Sequence, residues 1–182
     1  MMGMVFEEFF TYVEREYSED MVDDIIVDAK LENDGAYTAV GRYDFNDLVA
    51  LVSALSNKVS VPIEDLVHGF GFFVFGKLYD SHQQYLPDWK TPFDVFRKID
   101  NHIHIEVKKL YPNAELPRFY VEKDEADEMV LKYSSVRPLA KFAEGIIKGC
   151  VSYFDETMSV DHITLEQDGD HHQARFIIKK EK

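Results

Sequence analysis

The hydrophobic pattern of the chain changes at Pro112, and this change constrains the fold more than any other feature of the sequence. Before Pro112, apolar residues recur at helical spacing, which predicts a series of amphipathic helices. After it, four stretches have strand character, RFYVEKD, EMVLKYSSVR, VDHITLEQ and HQARFIIKK, and Asp168-Gly169 between the last two is a hairpin signal. The sequence therefore predicts an α+β fold, with a helical N-terminal part and a C-terminal antiparallel sheet of about four strands with helices packed on it.

One predicted helix is unusually rich in glycine. Pro62 opens this helix, and Gly69, Gly71 and Gly76 follow within it. Each glycine destabilises a helix interior by about 1 kcal/mol relative to alanine. Two interpretations remain open: another backbone or a bulky ligand approaches closely, or the helix is kinked.

Length and charge exclude several classes of protein. The 182 residues suggest a single domain, and the formal net charge of −14 disfavours nucleic acid and anionic membrane surfaces as partners. No apolar run approaches the length of a membrane span. Glu7 and Glu8 stand where a secretory signal would need basic and apolar residues.

Cys150 is the sole cysteine, which excludes disulfides, cysteine-based zinc and covalent haem. We expect it to be a buried, inert thiol in a cytoplasmic protein.

A row of hydrogen-bond donors follows the second predicted strand. Tyr133, Ser135 and Arg137 are spaced by two residues, so on a continuous strand they would share one face. A phenol, a hydroxyl and a guanidinium suit a ligand with two carboxylates, since arginine binds carboxylates through two parallel hydrogen bonds. A polar, solvent-facing side of the strand is the alternative.

Two histidines are candidates for a metal ligand. Thr91 and Pro92 predict the start of a helix that runs to about Tyr111 and contains His102 and His104. The two lie on opposite sides of the apolar stripe, so periodicity does not choose between them. A neutral imidazole from either one could bind haem iron axially, and a surface position is the alternative.

The remaining histidines and polar residues give weaker signals. His162 could oppose His171 or His172 across the last hairpin and form a surface metal site. No serine–histidine–aspartate arrangement, glycine-rich phosphate loop or metalloprotease motif is present in the sequence. The sequence therefore gives no case for an enzyme.

Four motifs occur in an order that resembles the H-NOX family of haem-dependent nitric oxide and oxygen sensors. They are MMGMVF, IHIEVKKLYPNAELPRF, YSSVRPL and AEGIIKG. The resemblance extends from Met1 to about Phe154 and implies the H-NOX fold as one domain over residues 1–182. Within it, we expect a helical subdomain over about residues 1–60 and a haem-cradling subdomain over about residues 61–182.

The resemblance also implies how a non-covalent haem b would be held. Tyr133, Ser135 and Arg137 match the family's Y-x-S-x-R motif, whose residues hold the haem propionates. His104 matches the proximal iron ligand, and Pro117 matches a proline that packs against the haem and distorts it.

The expected distal residues lack hydrogen-bond donors. Phe142 stands where oxygen-binding relatives supply a tyrosine, and the other distal positions align with Phe9 and Val74. Bound oxygen gains about 1.5–3 kcal/mol from a donor. The resemblance therefore predicts a sensor of nitric oxide that also binds CO and excludes oxygen.

The resemblance implies a signalling mechanism as well. Binding of nitric oxide opposite His104 weakens the bond from iron to histidine, releases the helix that carries His104, and relaxes the haem against Pro117 and Val5. As a standalone domain, the protein would act in trans on a histidine kinase, a diguanylate cyclase or a phosphodiesterase. A haem-free interaction module for such a partner, and a binding domain for another amphipathic carboxylate ligand, are the alternatives.

Overall fold

In a computed structural model, the protein is described over residues 1–82 and 89–181. The chain divides into two compact units, Met1–Phe70 and Gly71–Lys182. The boundary falls inside one long helix, so each unit contains part of it. Among the described residues, no single helix has both the length and the apolar character of a membrane span. The helices Phe45–Val59 and Ile63–Asp80 pass that test only when they are taken together as a bent pair.

The first unit is helical, as predicted. Its helices are α1 (Gly3–Glu16), α2 (Glu19–Ala29), α3 (Phe45–Val59) and the first part of α4 (Ile63–His82). Ser18 caps α2 and Asp44 caps α3, because each side chain accepts a hydrogen bond from a backbone N–H of the first turn. The core is strongly aromatic: the ring of Phe9, which is fully buried, meets the ring of Phe70 edge to face with centroids 5.3 Å apart.

The second unit contains the sheet and the remaining helices. They are α5 (Pro92–Phe96), α6 (His104–Leu110), β1 (Arg118–Asp124), β2 (Glu128–Ser135), α7 (Ala140–Tyr153), β3 (Met158–Asp168) and β4 (His171–Lys180). The sheet has four antiparallel strands in the order β1-β2-β4-β3. The predicted α+β fold with a C-terminal four-stranded antiparallel sheet is confirmed.

The helix predicted from Thr91 to about Tyr111 is interrupted. Its start is confirmed, since Thr91 and Asp94 form a capping box around Pro92. However, α5 ends at Phe96, and a π-helical turn at Ile99–Ile103 precedes α6. A π turn holds one more residue than an α turn. The apolar residues on either side of it still recur at nearly helical spacing, so the sequence pattern did not reveal the interruption.

One face of the sheet carries the core of the second unit. Met129, Leu131 and Tyr133 of β2 lie beside Phe176 and Ile178 of β4, and all five are at most 1% exposed. Helix α7 packs on this face through the buried side chains Ala143, Ile147 and Cys150. The predicted burial of Cys150 is confirmed, since it is fully buried, and this burial raises the pKa of its thiol well above the ordinary value.

Glycines let α4 and α7 approach each other closely within the second unit. A Cβ on Gly71 would overlap the carbonyl oxygen of Phe142 and would lie 3.1 Å from the backbone nitrogen of Ile146. Conversely, a Cβ on Gly149 would lie 2.6 Å from the carbonyl oxygen of Phe72. Close approach of another backbone therefore explains Gly71, and α4 is continuous through it.

Candidate functional site

His104 begins α6, and its ring is held by a carboxylate one helical turn earlier. The Nδ1 atom lies 2.8 Å from Oδ1 of Asp100, and the histidine side chain is 17% exposed. An ionised carboxylate only accepts hydrogen bonds, so Nδ1 carries the proton and donates. The Nε2 atom of His104 makes no hydrogen bond within residues 1–82 and 89–181, which leaves it available as a ligand.

Asp100 in turn is fixed by the sheet. Its second carboxylate oxygen, Oδ2, accepts a hydrogen bond of 3.1 Å from the backbone N–H of Phe119 in β1. The ring of Phe119 contacts both His104 and Tyr133, at centroid distances of 6.2 and 5.4 Å. The structure therefore brings His104 and Tyr133 into one cluster, linked by Phe119.

The π-helical turn lies immediately before His104. The N–H of Ile103 donates to the carbonyl oxygen of Lys98 at 3.0 Å, and the N–H of His104 donates to the carbonyl oxygen of Ile99. Both bonds span five residues rather than four. Turns of this kind occur often at functional sites, and here the turn contains Asp100 and determines where α6 begins.

The environment keeps the His104 imidazole neutral. Burial lowers its pKa, and the positive charge of Lys108 acts in the same direction, whereas the Asp100 carboxylate opposes them. Only a neutral imidazole can offer a lone pair to a metal ion. The net lowering therefore favours the form of His104 that can bind a metal.

His102 has a different environment, although sequence periodicity treated the two histidines as equivalent. Its ring meets the indole of Trp89 edge to face, with centroids 5.8 Å apart. Its Nε2 atom is buried and has no hydrogen-bond partner in the described part of the chain. Among the described residues no carboxylate bonds to the His102 ring, whereas Asp100 bonds to that of His104, so the structure distinguishes the two histidines by their hydrogen bonds.

Tyr133 and Ser135 lie on β2, but Arg137 does not. The strand ends at Ser135, whose Oγ accepts a hydrogen bond of 3.1 Å from the backbone N–H of Arg137. The expectation of three donors on one continuous strand face was therefore wrong for Arg137. The reason is local: the hydroxyl of Ser135 bonds to the backbone two residues ahead and turns the chain before Pro138.

The hydroxyl of Tyr133 is a buried polar atom without a partner. The side chain is 1% exposed, and no described residue makes a hydrogen bond of normal geometry with the hydroxyl. Burial raises the pKa of Tyr133, while nearby Ser135, the Leu139 backbone and Arg137 favour the ionised form weakly. Such an orphaned donor is costly unless a ligand satisfies it, because buried polar groups are almost always hydrogen-bonded.

The guanidinium of Arg137 is occupied by Glu115. Its Nη2 pairs with the Glu115 carboxylate, and its Nη1 donates to the Glu115 carbonyl oxygen at 3.4 Å. The carboxylate that this arginine binds belongs to the chain itself, so binding of a ligand's carboxylates by Arg137 stays a prediction. The sequence did not predict this partner, because Glu115 lies 22 residues away in the chain.

The other expected site residues are divided between the two units. Pro117, Val74 and Phe142 belong to the second unit; Pro117 is half-buried before β1, and Val74 is 3% exposed on α4. Phe142 lies in the first turn of α7. Val5 and Phe9 belong to the first unit, on α1, where Phe9 is fully buried.

The predicted metal site at the last hairpin is wrong. His162 pairs in register with Phe176, not with His171 or His172, because Asp168 opposes His171. The Nδ1 atom of His162 instead lies 2.8 Å from a carboxylate oxygen of Glu144. Among the described residues, no cluster of three or more potential metal-binding side chains is found.

The donor set of the second unit fits a non-covalent haem. It offers a neutral histidine with Nε2 available, the orphaned hydroxyl of Tyr133, and an arginine that already binds a carboxylate. A carboxylate behind the histidine is typical of metal-binding imidazoles. Fold and site together define a class of protein: an α+β haem-binding domain.

Comparison with known proteins identifies the family. Residues 2–162 match the sequence model of the Haem-NO-binding family. The chain therefore belongs to the H-NOX family of haem-based gas sensor domains. A comparison with curated protein sequences gave no match.

Solved H-NOX structures share the fold over the whole chain. The unliganded Fe(II) protein from K. algicida is 35% identical, with a TM-score of 0.89, and the match covers 100% of this chain and 97% of that one. The H-NOX from Shewanella woodyi, solved in the Fe(II)CO state with IWP-051 bound, is 38% identical, with a TM-score of 0.81 and coverage of 100% and 95%. A triple mutant from S. oneidensis in the Fe(II) state is 26% identical, with a TM-score of 0.88 and coverage of 100% and 97%.

Proposed function

We propose that this protein is a sensor that binds nitric oxide and CO at a non-covalent haem b and excludes oxygen. The observation that carries the proposal is the pair formed by His104 and Asp100, in which Nδ1 is hydrogen-bonded and Nε2 is available. A haem held there by His104 would supply the ferrous iron that binds a diatomic gas.

Each proposed residue has a defined role toward the cofactor. His104 is the iron ligand, and Asp100 orients its ring and increases its basicity. Tyr133, Ser135 and Arg137 donate to the two propionates. Pro117 and Val5 provide apolar contacts that shape the macrocycle.

Selectivity for nitric oxide over oxygen follows from the distal side chains. Phe142, Val74 and Phe9 are apolar and have no donor to offer to a bound ligand. Oxygen bound to ferrous iron carries partial negative charge and needs such a donor, whereas nitric oxide and CO bind without one. The CO-bound state of the relative from S. woodyi supports binding of CO here.

Signalling would proceed through α6 and the π-helical turn before it. While His104 is bound to the cofactor, it fixes the start of α6. Through its place at the start of α6, His104 would couple gas binding at a bound haem to a change in the position of α6 and of the turn at Ile99–Ile103. We propose that a histidine kinase or a cyclic-di-GMP enzyme reads this change in trans, and that the net charge of −14 favours docking on a basic surface of that partner.

An absorption spectrum of the anaerobically reduced protein tests the proposal, repeated after exposure to air and after nitric oxide. We expect a Soret band that does not change in air and shifts with nitric oxide. The variant His104→Ala should lose the reduced spectrum, while His172→Ala on the β3–β4 hairpin should keep it. A stable oxygen complex would contradict the proposed selectivity. Failure to bind haem after reconstitution would reject the sensor function and favour a haem-free interaction module.

A further inference from the structure

The ion pair between Arg137 and Glu115 joins two connections that border the site. Arg137 lies between β2 and α7, and Glu115 lies between α6 and β1. The arginine side chain is 16% exposed, whereas the glutamate side chain is 54% exposed. The arginine is therefore held in place by its surroundings, while the glutamate can turn into water at little cost.

The backbone contact and the carboxylate contact of this pair can be separated. Nη1 of Arg137 donates to the carbonyl oxygen of Glu115, and this bond does not depend on the glutamate side chain. Nη2 pairs with the carboxylate. A change of Glu115 to glutamine therefore removes the charge and leaves the backbone contact in place.

The charges around Arg137 determine whether Glu115 stays bound to it when a dicarboxylate ligand such as haem binds. Arg137 is a single cation, and Glu115 already neutralises it. A propionate that reaches the same guanidinium places a second carboxylate beside the first, in a protein of net charge −14. Like charges at such short distance repel each other, and the Glu115 carboxylate, whose side chain is 54% exposed, loses little solvation by moving further into water.

We propose that Glu115 is a competing carboxylate that occupies the propionate-binding side of Arg137 and is displaced when haem binds. This inference rests on the proposed function, because it takes the haem propionate as the competitor. Glu115 keeps Arg137 paired and oriented in the haem-free protein, and it weakens the retention of haem in the loaded protein. Glu115 is thus a positioning residue that acts through Arg137.

The rate of haem loss to excess apomyoglobin tests this proposal. Loaded Glu115→Gln protein should lose haem about two- to fivefold more slowly than the wild type, the range expected for an exposed ion pair. Glu125→Gln is the matched control, since Glu125 is a comparably exposed glutamate, at 57%, that pairs with Lys123. It removes the same charge from the same unit and should leave the rate unchanged.

A second pair of variants tests whether Glu115 acts through Arg137. Arg137→Gln should speed haem loss, and adding Glu115→Gln to it should bring no further change. Equal or faster haem loss in the single Glu115→Gln variant would overturn the proposal, as would an effect that persists without Arg137. Failure of the proposed function would give a different result. The wild-type protein itself would then bind no haem, and the proposal about Glu115 would be rejected as well.

Discussion

His104 donates a hydrogen bond of 2.8 Å from Nδ1 to Oδ1 of Asp100, which lies one turn earlier in the chain. The other oxygen of Asp100 accepts from the backbone of β1, so the carboxylate links the candidate iron ligand to the sheet. The orientation of the imidazole therefore depends on Asp100 and, through it, on the position of β1.

Asp100→Asn should weaken the bond from His104 to iron. An amide is a poorer acceptor than a carboxylate, so the imidazole becomes a weaker electron donor, and outer-shell changes of this kind typically cost about 10- to 100-fold in metal affinity. We expect a lower iron–histidine stretching frequency by resonance Raman spectroscopy and faster haem loss. Asp161→Asn, on an exposed position of β3, serves as the control, and an unchanged stretching frequency in Asp100→Asn would contradict the role assigned to Asp100.

Tyr133→Phe should have opposite effects on the haem-free and haem-loaded proteins. Because the buried hydroxyl has no partner in the described structure, its removal should leave the haem-free protein equally stable or stabilise it by up to about 1 kcal/mol. In the loaded protein the same change removes a donor to a propionate, so haem should dissociate faster. Thermal unfolding and haem transfer measure the two effects, with Tyr120→Phe on an exposed position of β1 as control. Destabilisation of the haem-free protein would show that the hydroxyl is satisfied within the chain.

Gly71→Ala should destabilise the protein by about 1–3 kcal/mol, the usual cost of overpacking. Its Cβ would overlap the carbonyl oxygen of Phe142, which is backbone and cannot move aside without shifting α7. Gly76→Ala on the same helix is the matched control: its Cβ meets only the Tyr153 side chain at 3.9 Å, so the better helix propensity of alanine should stabilise the protein by up to about 1 kcal/mol. Thermal unfolding distinguishes them, and equal melting temperatures would contradict the close packing of α4 and α7.

Glu144→Gln should destabilise the protein at neutral pH much more than in acid. Burial alone would raise the pKa of Glu144, but hydrogen bonds from Lys148, His162 and Lys141 lower it to about 2. A carboxyl whose pKa is lower in the folded state stabilises the protein above its unfolded pKa of about 4.5, and this contribution is lost as the pH falls from about 5 toward 2. We expect a difference of about 2 kcal/mol at pH 7 that shrinks steadily below pH 5. Chemical denaturation at several pH values measures it, and a difference independent of pH would exclude an ionised Glu144.

Phe142→Tyr should allow the protein to bind oxygen. The new hydroxyl would offer a hydrogen-bond donor at a position proposed to face the bound gas, where phenylalanine offers none, and a bond of about 1.5–3 kcal/mol corresponds to at least about a tenfold gain in oxygen affinity. The spectrum of the reduced variant in air measures this gain, and Phe142→Leu controls for the change in size. If the absorption spectrum of the reduced Phe142→Tyr variant does not change in air, Phe142 is not placed beside the bound gas.

The strands could be predicted almost to the residue, because their ends coincide with local signals. RFYVEKD corresponds to β1 without an error, and Gly169, at a φ of +61°, forms the turn predicted between β3 and β4. The strand β2 ends earlier than predicted, at Ser135. Its side-chain hydrogen bond to the backbone of Arg137 competes with the strand, and hydrophobic alternation carries no information about such a bond.

The partners of the candidate site residues were harder to predict than the residues themselves. Asp100 could have been found from sequence, since it lies four residues before His104 and such residues meet on a helix surface. Glu115 could not have been found in this way, because its contact with Arg137 depends on how two separate connections are placed in space. The same applies to Glu144, whose partner His162 lies on another element.

The π-helical turn at Ile99–Ile103 has a consequence for how far α6 can move. Conversion of this turn to α-helical hydrogen bonding would move the bonds of the Ile103 and His104 N–H groups from the carbonyl oxygens of Lys98 and Ile99 to those of Ile99 and Asp100. Such a step rotates the following helix by about 100° and shifts it by about 1.5 Å along its axis, since these are the increments of one α-helical residue. The π-helical turn would therefore give the segment that carries His104 a second setting, displaced by a fixed increment, rather than a continuous range of positions.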